Sequence, residues 1–597
     1  MDRNVVIATV LIALIMVVWL TWLTPPIPPP GGVTGTDTLA VVVPEPSEED
    51  AAPRSPAVPV LTDSTLALAQ VGEERLITVE NDLYRAQFST RGASLVSFQL
   101  KDYTRADSSS LVQMVDTTRG GTLSLAFTTP ANHNVDTRAF FFEPSLSGEA
   151  LQVGEAPVEL AFTARLGDGM IRQTYTFSPG TYEVGLRIDQ ESVSSFSTGE
   201  GYDLVWSGGV PFTEGNIENE ATRSGTFARS GGEVEGVELS SDAYQERALR
   251  GDVSWVAVKN KYFTAVMIPD GETRGAELIG ERFGTAEAGT LQESYTSSLM
   301  MPASTGTDVF RLYIGPMEYY RIAAYDLDLY DMVDFGWDWF EWITRPLARF
   351  VFIPTFTFLH TFIPNYGLLI IVLSLLIKLV LYPLTKSSFT SMARMRELQP
   401  KMEAIKEKYA DNPQKQQEAT MKMYKETGVN PLGGCLPMLL QYPIIIALWQ
   451  FLPQAIEIRQ QGFLWATDLS APDIILNLPF EIPLYGNYVA GFTLLMGLSM
   501  VIQMRLQSGP ASNAQTKIFT YVFPIMIPMI FNKLASGLNL YYLCYNVLTA
   551  AQQKLINNTL HKQGIGSNGK GGKQDVKVSG KPIKGKGGGG SKKKTRS

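Results

Sequence analysis

Residues 365–385 read NYGLLIIVLSLLIKLVLYPLT. From Gly367 to Leu381 the only polar side chains are Ser374 and Lys378. At a rise of about 1.5 Å per residue, about 20 helical residues cover the roughly 30 Å of a hydrocarbon core, so this stretch predicts a membrane span. Similar runs follow at about 433–452, 487–505, 517–534 and 537–556. At the start of the chain, residues 5–23 (VVIATVLIALIMVVWLTWL) have only Thr as polar residues. They run into Thr24-Pro25-Pro26 without a small-x-small cleavage site, which favours an uncleaved anchor over a cleaved signal peptide. Six spans result, five of them C-terminal, and a purely soluble protein is excluded.

Loop charges orient the spans by the excess of Lys and Arg on cytoplasmic segments. The 386–430 loop carries nine Lys or Arg, and Arg505 and Lys517 flank 506–516. The 453–486 loop holds one Arg and four acids. Both termini are therefore expected inside, with 453–486 and the large acidic segment outside.

The 597 residues are 45% hydrophobic and only 18% charged, with a formal net charge of −9. That net charge adds an acidic interior to a basic end, since residues 561–597 hold ten Lys, one Arg and one Asp. The Gly-rich tail, ending in Lys592, Lys593, Lys594 and Arg596, has the composition of a disordered cation. It suits RNA phosphates or anionic lipid without reading any nucleic-acid sequence. Two cysteines, Cys435 and Cys544, sit in apolar runs, which excludes a disulfide scaffold and a Cys-based zinc site. The three scattered His residues give no metal cluster, and no cofactor motif is present.

Residues 25–70 are rich in Pro, Ala, Thr and acids and read as a disordered spacer. From about residue 71 the pattern alternates, as in LITVEN, SLVSFQL and VELAFTARL, and QTYTFSPGTYEVGLRI predicts a hairpin around Ser178-Pro179-Gly180-Thr181. Many strands with short turns predict a large antiparallel β-sandwich. In 335–350, Phe335, Trp337, Trp339, Phe340 and Trp342 interleave with acids, the composition of a helix lying in the headgroup layer. The 386–430 loop is helical in composition and broken at Asp411-Asn412-Pro413, which predicts a helical hairpin. Its Met392, Met395, Met402, Met421 and Met423 suit either an adaptable apolar contact surface or the seam of the hairpin itself.

The chemistry centres on Lys378, since a mid-membrane Lys costs roughly 2.5–3.5 kcal/mol on insertion scales. Either its stem snorkels toward the cytoplasmic end, or it serves a function. Ser374 and Tyr382 lie four residues to either side of it, and Gln441 and Asn546 sit at a similar depth in two other spans. The last span carries Asn539, Tyr542, Asn546, Thr549 and Gln553 as a stripe spaced by three and four. In lipid such groups need partners or water, so the stripe predicts a wet groove open toward the cytoplasm or, alternatively, an interhelical hydrogen-bond network. No Asp or Glu lies in the C-terminal spans, and no nucleotide motif or nucleophile–base pair is present, so catalysis is not expected. A transporter or channel is disfavoured for want of intramembrane carboxylates and inverted repeats. A structural assembly factor built around the outer β-domain is the third reading.

Tyr382-Pro383-Leu384-Thr385-Lys386, Ser391-Met392-Ala393, Leu398-Gln399-Pro400-Lys401, Asn430-Pro431-Leu432-Gly433-Gly434-Cys435, Pro437, Ser536-Gly537-Leu538 and Tyr541-Tyr542 closely resemble the YidC membrane protein insertase family. The resemblance covers roughly 331–560, and extends more weakly to the outer domain through Thr90-Arg91-Gly92 and Trp255-Val256-Ala257. It implies a polytopic α-helical membrane protein of the bacterial inner membrane, with six transmembrane helices, a five-helix insertase core and a large periplasmic antiparallel β-sandwich domain. The implied order is an anchor (1–24), a spacer (25–70), the β-domain (71–330), an interfacial helix (331–362), the core (363–560) with its hairpin 386–430, and the tail (561–597). It further implies a chaperone-like insertase that takes hydrophobic segments of nascent membrane proteins into a groove marked by one cation. Lys378 stands where the bacterial pattern most often has Arg, which keeps the charge and loses the bidentate fork. Lys378, Ser374, Tyr382, Gln441, Tyr542 and Asn546 are the expected groove residues. The hairpin is implied to meet substrates and the signal recognition machinery, the tail the ribosome, and a Sec translocon and the lipid bilayer complete the expected partners.

Overall fold

The computed structural model describes residues 64–562, apart from 120, 240–241, 286–288, 304–305, 337, 411, 428–435, 484 and 509–522. The expected anchor at 5–23, nearly all of the spacer, Asn430–Cys435 and the tail beyond residue 562 lie outside the described residues.

The alternating segments form three sheets of five, nine and six strands. In the nine-stranded sheet, Gly169–Phe177 pairs antiparallel with Glu183–Glu191, so the hairpin turns where Ser178-Pro179-Gly180-Thr181 placed it. Val158–Leu166 pairs on the other side of Gly169–Phe177 and shows the period-two burial of a half-covered strand. Val253–Lys259 and Phe263–Pro269 are buried almost throughout, as suits central strands covered on both faces. One pairing departs from the antiparallel expectation: Leu76–Glu80 runs parallel to Ala150–Gln152. Parallel neighbours need a long crossover, and some seventy intervening residues, which form other strands, supply it.

Helices α1 (Tyr366–Val380), α2 (Tyr382–Glu397), α3 (Gln399–Lys408), α4 (Pro413–Thr427), α5 (Leu436–Phe451), α6 (Gly491–Ser508), α7 (Phe523–Phe531) and α8 (Ser536–Lys562) carry the apolar C-terminal part. Among the described residues no single helix is long and apolar enough to cross a membrane. One bent pair, α1 with the first part of α2, meets the criteria of length and composition at a bend of 65°. The span expected at 365–385 is thus broken at Leu381. Pro383 has no N–H to continue the ladder of α1 and sits in the first turn of α2, where none is needed. The span expected from 487 begins at Gly491, because Gly486–Ala490 forms a strand paired with Ile474–Ile482. Asn487, Tyr488 and Val489 belong to residue types at home in turns and strands rather than helices. The helix Asp338–Leu347 continues through a π-helical turn at Ala348–Phe352 into Ile353–His360.

Two compact units are present. Of the described residues, one unit contains the β-domain and the chain up to Leu376, Gln441–Val501 and 523–546; the other contains Ile377–Leu440, 502–508 and 547–562.

Candidate functional site

Within the first unit, polar side chains of α6 and α8 pair one to one. Asn539 Nδ2 donates to Thr493 Oγ1 at 2.8 Å, and Asn546 Nδ2 donates to Ser499 Oγ at 3.1 Å. Tyr545 donates its hydroxyl to Gln441 Oε1 at 2.8 Å. Ser374 is fully buried and donates back to the Ile371 carbonyl of its own helix at 2.7 Å. Tyr542 is half-buried and packs edge-on to Phe531. The Asn539 amide oxygen and the Tyr541 hydroxyl are buried with no protein partner.

In the second unit Lys378 is 5% exposed, and its Nζ donates to Thr549 Oγ1 at 2.7 Å. The ammonium is therefore held inward by a neutral hydroxyl rather than carried out to an exposed end. One turn further along α8, Gln552 Nε2 donates to Thr385 Oγ1 at 2.8 Å and Gln553 Nε2 to the Leu506 carbonyl at 3.2 Å. Each amide leaves its Oε1 buried and unpaired. Tyr382, four residues past Lys378, is exposed. The stripe on α8 thus forms an interhelical hydrogen-bond ladder, with acceptors left over in both units. Thr493, Ser499 and Thr385 were absent from the sequence-based set. A hydroxyl in an apolar run gives little signal until its partner helix is known.

In the helical hairpin, Leu398 of the α2–α3 joint and Met423 of α4 are buried against each other, with Met395, Met402, Ile405 and Tyr424 packed around them. Tyr424 donates to Met402 Sδ at 3.1 Å. Met392 packs separately on Phe389 and Ile556. Met423 is thus a seam residue, and of the five methionines Met421 is the exposed one.

A further cluster binds the β-domain to the loop after α5. Arg459 Nε meets Glu214 Oε1 at 2.8 Å, and its NH2 group donates to the Thr104 carbonyl at 2.7 Å. The guanidinium also lies over the rings of Tyr262 and Phe263. Gln460 Nε2 donates to the Thr104 and Arg105 carbonyls, and Tyr262 donates to the Pro453 carbonyl at 2.8 Å. Beside it Lys261 is buried, and desolvation lowers its ammonium pKa to about 8. The same loop is keyed to three helix starts. Asp473 Oδ2 accepts from the Phe492 amide at 2.6 Å at the start of α6, while burial raises its carboxyl. Gly367 of α1 lies against Phe463 so closely that a Cβ would overlap the ring. Gly537 of α8 donates its amide to the Leu469 carbonyl at 2.9 Å, with Ile370 alongside. The contacts to the β-domain span 191 to 356 residues of sequence, and no local pattern announces them.

Two family models match the chain: the 60Kd inner membrane protein over residues 358–563 and the YidC periplasmic domain over 76–350. The membrane protein insertase YidC of Chlorobium luteolum is 39% identical, covering 94% of this chain and 96% of its own length. That of Prosthecochloris aestuarii is 40% identical, covering 94% of this chain and 95% of its own.

The chain belongs to the YidC membrane protein insertase family.

A crystal structure of a YidC insertase aligns with 81% of this chain and 92% of its own at 20% identity and a TM-score of 0.33; the assignment rests on the sequence matches. YidC proteins form an inner-membrane family with a periplasmic domain, and the strand-rich region described above is that domain. The family is one of insertases, as the motif resemblance implied, and not of enzymes.

Proposed function

We propose that this chain inserts and helps to fold membrane proteins in the inner membrane. It receives hydrophobic segments of nascent proteins against polar side chains within the membrane. The observation that carries this reading is Lys378, a cation buried in an apolar helix with a neutral hydroxyl as hydrogen-bond acceptor. Such a charge attracts acidic outer segments of a passing substrate, and desolvation strengthens the attraction. Ser374, Tyr382, Gln441, Tyr542 and Asn546 are the further side chains proposed to meet the substrate. The unpaired amide oxygens of α8 support a wet path, since water would satisfy them. We place both termini in the cytoplasm and the β-domain in the periplasm, on the charge asymmetry of the loops. The hairpin 386–430 would meet incoming chains and the signal recognition machinery, the basic tail the ribosome, and a Sec translocon would share larger substrates.

The test is photocrosslinking of a stalled single-span nascent chain to probes at Ser374, Gln441 and Tyr542 in the full-length protein. Crosslinks from all three are expected. Ion-driven solute uptake into vesicles, without insertion of the test protein, would replace this reading with a transporter.

A further inference from the structure

The two-stranded sheet Ile474–Ile482/Gly486–Ala490, in the loop after α5, presents large apolar side chains to its surroundings. Ile474, Ile475, Leu476 and Phe480 are each at least half exposed, and the adjoining turn adds Leu464 at 73% and Trp465 at 45%. The register shifts between Ile474 and Leu476, a bulge that breaks strict alternation, yet all three side chains of this run stay exposed. The strand is exposed almost throughout its length, unlike a strand that covers a core on one side. In water a lone two-stranded ribbon of this kind is marginal and its open edge is an aggregation hazard.

The ribbon is nevertheless firmly built. Asn532 accepts from the Ala490 amide at 2.9 Å and donates to the carbonyls of Tyr485 at 3.0 Å and Tyr488 at 2.7 Å. Trp465 Nε1 donates to Asp473 Oδ2 at 2.8 Å, fixing the turn beside the first residue of the ribbon. Leu464 holds a left-handed backbone conformation (φ 56°) that a branched side chain adopts only under constraint, and its side chain stands clear of the protein. These apolar groups are held out by a fixed platform.

We infer that this ribbon and turn insert into the headgroup and upper acyl region of the outer leaflet. Three observations select lipid as the occupant. The strand Gly486–Ala490 runs directly into α6, whose exposed Leu494, Leu495 and Leu498 continue the apolar surface. Residues 474–490 contain one acid, Glu481, and no Lys or Arg, so the surface offers no charge pattern for a protein partner to match. Trp465, Tyr485 and Tyr488 supply the amphipathic rings typical of the interface. The cation beside the ribbon, Lys533, faces Glu481 at 4.0 Å, so the two charges offset and the contact needs no anionic lipid. The inference rests on the proposed orientation, with this loop outside.

The experiment uses the full-length protein with Cys435 and Cys544 replaced, reconstituted in phosphatidylcholine nanodiscs with or without phosphatidylglycerol. Spin labels are placed by Ile475→Cys and Phe480→Cys, with Leu494→Cys as the control on α6. Oxygen collision at both ribbon labels should exceed collision with a polar nickel chelate several-fold, equally in both lipids and at low or high salt. Free access of nickel to the ribbon labels, with the control label still in lipid, overturns the inference while leaving the membrane reading intact. Shielding of the ribbon labels from both reagents would overturn it too, and would mark a protein contact. Nickel access at the control label as well would refute the membrane reading itself. In proteoliposomes loaded from one side only, quenching of the ribbon labels from the cytoplasmic side would overturn the assignment to the outer leaflet.

Discussion

Arg459 and Glu214 lie 245 residues apart in sequence and meet at 2.8 Å, with only 2% and 10% of their side chains exposed. A pair so desolvated contributes little over an apolar replacement, yet losing one partner leaves a charge stranded. Glu214→Ala should therefore destabilise the β-domain's attachment by about 3 kcal/mol. Arg459→Met with Glu214→Leu should recover much of that loss. Thermal unfolding of the detergent-solubilised protein, with proteolysis at residues 453–470 as the local readout, measures both. Equal losses in the single and double variants would show that the contacts of Arg459 with Thr104 and the aromatic rings dominate.

Lys378 should matter for its charge more than its shape. Lys378→Arg keeps the cation and should preserve insertion. Lys378→Ala and Lys378→Glu should lose most insertion of substrates with acidic outer segments, and little with neutral ones. Thr549→Val removes the hydroxyl that accepts from Nζ and should give an intermediate loss. An in vitro insertion assay with paired acidic and neutral substrates reads all four. Equal insertion by all four would mean that the buried charge is incidental.

Access to the polar positions should be graded. Ser374 and Asn546 are buried, whereas Gln441 is half-buried. With the native cysteines replaced, Gln441→Cys should react with a polar thiol reagent from the cytoplasmic side several-fold faster than Ser374→Cys or Asn546→Cys. A translocating substrate should narrow the gap. Labelling from the periplasmic side alone would reverse the proposed orientation.

Lys261 gives a pH dependence of defined sign. Burial lowers its folded pKa to about 8 from 10.5, so the folded state disfavours the ammonium. The resulting destabilisation is complete below about pH 8 and disappears as pH rises toward the unfolded value. Its size is about 3 kcal/mol. Lys261→Met should accordingly stabilise the β-domain at neutral pH, with the advantage shrinking between about pH 8 and 10. Urea unfolding of both proteins across that range provides the check. A pH-independent difference would assign the effect to packing.

The tail should act through charge number. Deleting 561–597 should weaken ribosome association strongly at low salt and little at high salt, because counterion release dominates such binding. Scrambling the same residues should change almost nothing. Ribosome cosedimentation over a salt series separates bulk charge from a specific motif.

What the sequence disclosed and what it withheld divide along range. The turn at Ser178–Thr181 was legible because Pro and Gly mark it between two alternating runs. The parallel pairing of Leu76–Glu80 was not, since its partner arrives some seventy residues later without a distinguishing pattern. The polar stripe of α8 was legible from its spacing, and its use as a ladder was the alternative reading. Its partners Thr493 and Ser499 were hidden, as was the Thr385 that meets Gln552 beside the stripe, because a hydroxyl in an apolar helix is silent until a facing amide is placed. Residues 487–490 were read as the start of a span on hydropathy alone, which does not separate an apolar strand from an apolar helix over so few residues. Arg459 stood out only as the lone base of an acidic loop.

The loop keyed to three helix starts also fixes an order of assembly. Its partners Thr104, Glu214, Tyr262 and Gly367 precede it in the chain, so the loop can dock on the β-domain and α1 soon after it is made. Ser536 and Gly537 come later: their amides close on the carbonyls of Ala471 and Leu469, and the Ser536 hydroxyl on that of Asp468. Chains fold from the N-terminus as they are synthesised. Until residue 537 has been made, those carbonyls lack their final donors, and the last helix seals a structure that has been waiting for it.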